Sequence, residues 1–354
     1  MAVRAAAVDL GARGPSDYAI VKRRVREAGL LEKQAWFYGR SIVAKLAVLA
    51  ACLALFGLVR NSWVQAANAV VLAIISGQLG FQLHDSGHRQ MFARRWKNVV
   101  VGLVTGNLLL GMSYGWWVEK HNRHHANPNH AEMDPDINTM TIAYSPAQAL
   151  GRRGLPRLIA RHQAYLFFPL LFLLGWSMHA AGARFLVQQR PRHRRLEVAL
   201  LAAHVLLYVG LALYVLGPWS ALLVIAIHQG CGGFYLATVF APNHKGMPQV
   251  DDSCELDFLR RQVLTSRNVR SHPLTDLWYG ALNYQIEHHL FPTMARNRVR
   301  EAHLIVRGFC EERGIPYHEV SMLQSYRELL SFLHEVGAPL RARGRAGQAG
   351  RSLP

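Results

Sequence analysis

Cysteine is scarce and scattered. The four residues, Cys52, Cys231, Cys254 and Cys310, form no C-x-x-C pair, so neither a zinc knuckle, an iron–sulfur site nor a disulfide framework is indicated. Acidic residues are also few: 22 Asp and Glu against 40 Lys and Arg give a net charge of +18. The basic residues cluster beside apolar runs rather than along one stripe. That argues against nucleic-acid binding and for a surface lying against anionic lipid. No cleavable signal peptide is expected, because the first long apolar run begins near Val43, far from the amino terminus. The first fifteen residues and a basic tail over 340–354 read as disordered, being small and basic.

Apolar sequence is plentiful. The chain has 354 residues, 51% of them hydrophobic, with runs near 42–59, 64–83, 99–117, 164–182, 198–216 and 219–241. Each is close to the ~20 residues that a spanning helix needs. A parity argument prunes them. Lys22, Arg23, Arg24 and Arg26 hold the amino terminus on the cytoplasmic side. Two spans joined by the short turn at Arg60–Trp63 then return the chain to that side at His84. If 99–117 crossed, His121 would be stranded opposite His84; the run also carries Gly102, Gly106, Gly111 and Gly115. It therefore reads as re-entrant or interfacial. The run 164–182 has arginines on both flanks and reads the same way. The last two runs form a hairpin turning at Gly217-Pro218. The expected fold is an all-α integral membrane protein. It has four transmembrane helices (42–59, 64–83, 198–216, 219–241), two re-entrant or interfacial segments, and a cytoplasmic helical cap from 84–163 and 242–339. Residues 1–35 form an amino-terminal cytoplasmic segment, and 36–339 form the membrane domain.

Three histidine clusters lie on polar segments beside these runs: His84-Asp-Ser-Gly-His88, His121-Asn-Arg-His124-His125 and Gln285-Ile-Glu-His288-His289. In a helix, residues three and four apart share one face. Each cluster can therefore aim its imidazoles at one point, and imidazole binds iron, copper and zinc. Seven clustered histidines, with His244 as an eighth, are too many for one zinc but suit two metal ions in one pocket. Two irons that activate O2 are the natural choice for a redox site at a membrane. Metal-bound imidazoles usually give their second N–H to a carboxylate, carbonyl or water. Asp85, Glu119, Glu132, Asp134, Asp136 and Glu287 lie within reach in sequence, and Asp134-Pro-Asp136, in a polar loop, is the favoured pair. Lone histidines such as His162, His193, His303, His318 and His334 read as ordinary surface or core residues. His179, His204 and His228 lie in apolar runs and read as polar contacts within the bundle.

The three clusters resemble the histidine boxes of the membrane fatty-acid desaturases, here as His84-Asp-Ser-Gly-His88, His121-Asn-Arg-His124-His125-Ala-Asn-Pro and Asn283-Tyr-Gln-Ile-Glu-His288-His289-Leu-Phe-Pro292. The resemblance covers about 36–318. The glutamine opening the third box and the Ala241-Pro-Asn-His-Lys-Gly246 stretch are similar to the front-end branch acting on acyl-CoA or acyl-lipid. The resemblance implies that His84, His88, His121, His124, His125, His244, His288 and His289 ligate two Fe ions, with Gln285 in the position of a ninth ligand. It also implies a desaturase that inserts a C=C bond into an acyl chain with O2 and two electrons. The His-Pro-Gly-Gly motif of a fused cytochrome b5 is not found, so the electrons are expected from a separate donor of ferredoxin or cytochrome b5 type with its reductase. A positive face would attract an acidic donor.

Trp116, Trp117, Trp278 and Tyr284 are candidates for the walls of an acyl tunnel, with core packing or an interfacial belt the favoured reading for them. Other activities stay open at this point. A related diiron hydroxylase would use the same ligands, a non-catalytic lipid or metal carrier would not need the full set, and a zinc hydrolase would not need so many. Double-bond position, chain length and acyl carrier are not readable. The expected location is a membrane, taken as the bacterial inner membrane, with the site on the cytoplasmic side.

Overall fold

A computed structural model describes residues 16–349, with side chains to residue 342; the first fifteen residues, expected to be disordered, lie outside it. Among the described residues the regular structure is helical except for one parallel pair of two-residue strands, β1 (Asn268–Val269) and β2 (Glu319–Val320).

The amino-terminal helix α1 (Asp17–Glu27) is capped by Ser16, whose hydroxyl accepts from the Ala19 amide. Two long apolar helices follow, α2 (Ala35–Leu58) and α3 (Ser62–Gly87). The turn between them is short because Asn61 caps α3, accepting from the amides of Trp63 and Val64. Inside the pair, Gln65 donates to the Val59 and Leu55 carbonyls and Asn68 to the Cys52 carbonyl. Each lies one to two turns from the connection and stitches α3 back onto α2.

The long segment α9 (Arg194–His244) is two helices rather than one. Gly217 has φ +68°, a left-handed conformation that glycine adopts without strain, and Pro218 begins the returning arm. The Tyr208 hydroxyl lies 2.6 Å from His228 Nδ1. Twenty residues of straight helix would hold those groups about 30 Å apart, so the arms are antiparallel, as the Gly217-Pro218 pair predicts. Among the described residues three helical segments (α2, α3 and α9) are long and apolar enough to cross a membrane, and two further helix pairs are sharply bent at a short break.

The first broken pair is α4 (Arg95–Leu103), continued by a π-helical turn (Val104–Leu109), then α5 (Tyr114–Ala126); the bend is 115°. The second is α7 (Gly154–Leu171) and α8 (Leu174–Gln188), bent by 85°, and preceded by the short α6 (Pro146–Gly151). Neither runs straight, in keeping with the glycine content of 99–117 and the flanking arginines of 164–182. Irregular backbone among apolar helices must find hydrogen-bond partners within the protein. His204 Nδ1 donates to the Leu108 carbonyl at 2.9 Å and His179 Nδ1 to the Gly111 carbonyl at 2.8 Å. His228 lies against Ser76 and Tyr208. These three histidines are polar contacts within the bundle. Gly111 has φ +67°, and a Cβ there would strike the His204 ring at 2.5 Å.

The start of α5 is fixed by a group that sequence reasoning overlooks. Glu197, buried in the first turn of α9, accepts from Ser113 Oγ (2.7 Å), Asn107 Nδ2 (3.1 Å) and the Gly115 amide (3.1 Å). One carboxylate thus holds the π turn, the α5 cap and α9 together.

The remaining helices are α10 (Phe258–Leu264), α11 (Pro273–Tyr279), α12 (Gln285–Leu290), α13 (Val299–Glu312) and α14 (Met322–Ala349). The largest core joins Val21 and Val25 of α1 to Leu259 and Val263, Ile286 and Leu290, and Val306 and Phe309. The backbone of the last helix extends to Ala349.

Glu197→Ala leaves three buried donors without an acceptor. It is expected to destabilise the protein by about 2–3 kcal/mol, seen as a lower melting temperature in detergent; an unchanged melting temperature would refute the role assigned to Glu197.

Candidate metal centre

Four elements deliver the clustered histidines to one place. His84 ends α3 and His88 caps it. One turn apart, both face α5. His121, His124 and His125 lie on the face of α5 turned toward α3 and the cap. His244 is the last residue of the returning arm of α9. Gln285, His288 and His289 occupy α12, a helix whose six residues are all buried. The close fit explains Gly87 in the first cluster: a Cβ there would meet the Trp117 ring at 2.3 Å. Trp117 stacks on His121 at 4.5 Å and lies edge-on to His84 at 5.5 Å.

The nitrogens form two neighbouring sets. In the first, ring nitrogens of His84, His88, His121 and His288 lie within 4.8 Å of one another. His125 Nε2 joins them, 3.1 Å from His121 Nε2 and 3.0 Å from His288 Nε2. In the second, His124, His244 and His289 converge within the same limit. His244 Nε2 lies 3.2 Å from His124 Nε2 and 3.1 Å from His289 Nε2. The Gln285 amide nitrogen is 2.9 Å from His244 Nε2.

The partners of the other ring nitrogens fix the chemistry of these sets. His124 Nδ1 faces the Asp134 carboxylate at 3.0 Å, His244 Nδ1 faces the Thr265 carbonyl at 3.0 Å, and His289 Nδ1 faces Gln262 Oε1 at 2.8 Å. Carboxylates and carbonyls only accept. The Gln262 oxygen is identified because its amide nitrogen donates to the His125 carbonyl. Each Nδ1 therefore carries the proton, and each Nε2 presents a bare lone pair. Three lone pairs then converge in a buried pocket, His244 Nε2 about 3 Å from each of the other two, and none of the three imidazoles brings a proton to share. In the first set, His84 Nδ1 donates to Asp85 Oδ1 at 3.0 Å, which turns its Nε2 lone pair toward His288 Nε2 at 3.1 Å. Such an arrangement repels itself unless a cation lies between the nitrogens, so the donor set suits metal ions. Burial first, and then the neighbouring imidazoles, hold His288 and His289 well below the ordinary histidine range. They stay neutral and able to ligate at neutral pH.

The supporting carboxylates are partly those expected. Asp134 accepts from His124 and from the amides of Asn129 and Asp136, both at 2.8 Å. Asp136 lies 3.5 Å from His124 Nδ1 and pairs with Lys120, while Lys245 Nζ donates to its carbonyl. Burial opposes ionisation of Asp136, but Lys120, His124 and Lys245 outweigh it and hold the carboxyl well below the usual range. Asp85 is clamped between His84 and Arg296.

Glu287 is a correction. Its carboxylate accepts from Tyr317 (2.6 Å) and Asn268 (2.8 Å) and has no clustered histidine among its partners. It precedes His288 by one residue and so points about 100° away around the helix. Among the described residues, Glu119 and Glu132 make no side-chain hydrogen bond to the imidazoles either. His303 and His318 pair with glutamates in the cap, away from the centre. Gln262, Thr265 and Arg296 escaped sequence reasoning. They touch histidines or Asp85 from distant parts of the chain, and no short-range spacing announces them.

Asp134→Ala removes the acceptor that orients His124. Loss of such a partner costs roughly 10- to 100-fold in metal affinity, so metal retained after dialysis against a chelator is expected to fall. Full retention would refute the role of Asp134. His303 supplies a pH test. Burial lowers its pKa, but the contacts with Glu287 and Glu319 outweigh burial and raise it. A histidine raised on folding adds stability that is full below the unfolded value of about 6.5 and is lost as pH rises through the folded value. The stability lost in His303→Asn is therefore expected to be larger near about pH 6 than about pH 8.5; equal losses by chemical denaturation would contradict it.

Comparison with known proteins bears on what this centre is. A family profile described as fatty acid desaturase matches residues 61–321. The chain is 34% identical over 320 residues to an acyl-lipid (9-3)-desaturase of Physcomitrium patens, covering 87% of this chain and 60% of that protein. It is 30% identical to a Delta(5) fatty acid desaturase of Caenorhabditis elegans, covering 84% and 68%. A Delta(8)-fatty-acid desaturase of Euglena gracilis is 31% identical, with 80% and 70% covered. The chain thus spans less than two thirds of the moss protein. These organisms are eukaryotes, so the expectation of a bacterial inner membrane finds no support in them. The profile match takes in all three histidine clusters and His244, and on that footing the chain belongs to the fatty acid desaturase family.

Proposed function

We propose that this protein is a membrane fatty acid desaturase that inserts a C=C bond into an acyl chain carried as acyl-CoA or acyl-lipid. The observation that carries the reading is the pair of adjacent sets of imidazole nitrogens, with His84 braced from behind by Asp85 and His124, His244 and His289 by Asp134, Thr265 and Gln262. Eight imidazoles in two sets suit two iron ions. His84, His88, His121, His125 and His288 would hold one, and His124, His244 and His289 the other, with Gln285 beside it. When bound, the irons supply the O2 chemistry that removes two hydrogens from neighbouring methylenes. The protein's part is to keep the imidazoles neutral, hold their orientation and exclude water from a buried pocket.

A cavity of about 420 Å³ among α2, α3, α8 and α9 supports an apolar substrate. Leu49, Leu53, Leu72, Leu108 and Leu236 line it, and so does Met112. Met112 packs with Leu83 and Trp117, and Trp117 touches His84 and His121. Phe56, Tyr208, His179, His204 and His228 also line it, but none of Trp116, Trp117, Trp278 or Tyr284 does. An acyl tail lying there would run toward the centre along α3. By the distribution of basic residues, α2, α3 and the two arms of α9 would be the four spans. The cap and centre would then lie on the cytoplasmic side, where a separate acidic electron donor would meet the positive face.

The test is gas chromatography–mass spectrometry of fatty acids from cells expressing the chain with a compatible reductase, against the His124→Ala variant. A new alkene that disappears in the variant is the expected result. A new hydroxy acid with the same dependence would instead assign a hydroxylase. Purified, well-folded protein that takes up no iron would overturn the metal reading.

A further inference from the structure

Gln285 opens the third cluster on the same helix face as His288 and His289, and its side chain reaches the second set of nitrogens. The open question is which end of its amide faces that set. An amide oxygen can ligate a metal; an amide NH2 cannot, but it can donate a hydrogen bond. The two ends differ only through their partners.

Asn243 decides the matter. Its Nδ2 donates to the Leu282 carbonyl at 3.0 Å and to Gln285 Oε1 at 2.9 Å. The backbone carbonyl fixes which end of Asn243 points this way. Reversing Asn243 would set its oxygen against the Leu282 oxygen. The Asn243 NH2 in turn fixes Gln285: its oxygen is held by Asn243, and its NH2 is aimed at His244 Nε2, 2.9 Å away. All of these atoms are buried, so water does not offer either amide an easy alternative partner. His244 Nδ1 donates to Thr265, leaving the Nε2 lone pair as the acceptor for Gln285. Once that lone pair is given to a metal, the Gln285 N–H needs another acceptor in the same place. The two sets are also unequal. Five imidazoles gather in the first and three in the second.

We infer that Gln285 is not a metal ligand but a hydrogen-bond donor to a small anionic or oxygen-bearing ligand taken up at an open position of the metal held by His124, His244 and His289, with Asn243 as the residue that turns its amide. The inference rests on the diiron reading above and specifies one position within it.

The experiment uses the full-length, iron-loaded protein in detergent and sodium azide as the probe. It measures iron per chain and the azide affinity from the charge-transfer absorption. The parent chain must first hold two irons; if it does not, the diiron reading fails rather than this one. Given two irons, Gln285→Ala is expected to keep both and to bind azide roughly 10- to 100-fold more weakly, the effect of losing a hydrogen bond to a charged group. Asn243→Asp is expected to do the same with Gln285 still present, because a carboxylate would repel Oε1 and draw the NH2 away from the metal. Loss of one iron in Gln285→Ala would make Gln285 a ligand and overturn the inference. Unchanged azide affinity with both irons present would also overturn it, by removing the donor role.

Discussion

Imidazole nitrogens that have already given away their protons do not gather at 3 Å without a reason. In this protein His124, His244 and His289 each commit Nδ1–H to a group that can only accept, so three lone pairs face one another in a closed pocket. The repulsion is unscreened by water, and the metal-free arrangement is costly. A bound cation turns that cost into attraction, so the free energy of metal binding and the stability of the surrounding fold are coupled. The braces explain why the ligand helices sit where they do. Gln262 ties the His125 carbonyl on α5 to His289 on α12. Asn129 and Asp134 tie the loop after α5 to His124 and to the end of α9.

That geometry demands an unusual path for the chain. The second cluster must come back beside the first, although an apolar stretch of about span length separates them. A straight helix would carry His121 away from His84; a bend of 115° returns it. Bending frees backbone carbonyls in an apolar setting, where each unpaired group costs several kcal/mol. The carbonyls of Leu108 and Gly111 are met by histidines from two other helices, and the start of α5 is met by the Glu197 carboxylate. The polar residues inside the bundle are therefore no mere ornaments of a metal protein. They make the bend possible, and the bend makes the centre possible.

Much of this was legible in the sequence, and the reason is periodicity. Offsets of three and four residues place imidazoles on one helix face, and the structure does collect His84, His88, His121, His124, His125, His244, His288 and His289. Gly217-Pro218 marks the reversal of α9, and the glycines of 99–117 mark a segment that does not run straight. Nearness in sequence was a poorer guide. Glu287 adjoins two of the clustered histidines but lies on another face of α12 and serves Tyr317 and Asn268. Gln262, Thr265, Arg296 and Glu197 matter through contacts formed only when distant segments meet, and no local pattern encodes them.

The glutamine in the third cluster shows how a change of residue can alter function while keeping the fold. A histidine at position 285 would bring a lone pair to the second set and could complete a fourth protein ligand. Glutamine brings two hydrogens instead, and only because Asn243 holds its oxygen from behind. Asn243 is itself held by the Leu282 carbonyl and precedes His244, so the ligand and the residue that orients Gln285 share one turn of α9. The two sets of nitrogens consequently differ in kind. The set of five presents imidazole alone, whereas the set of three has a directional donor beside it. An oxidative centre needs such asymmetry: a metal wrapped fully in imidazole has no position to offer, and a metal with too few braces would not stay bound.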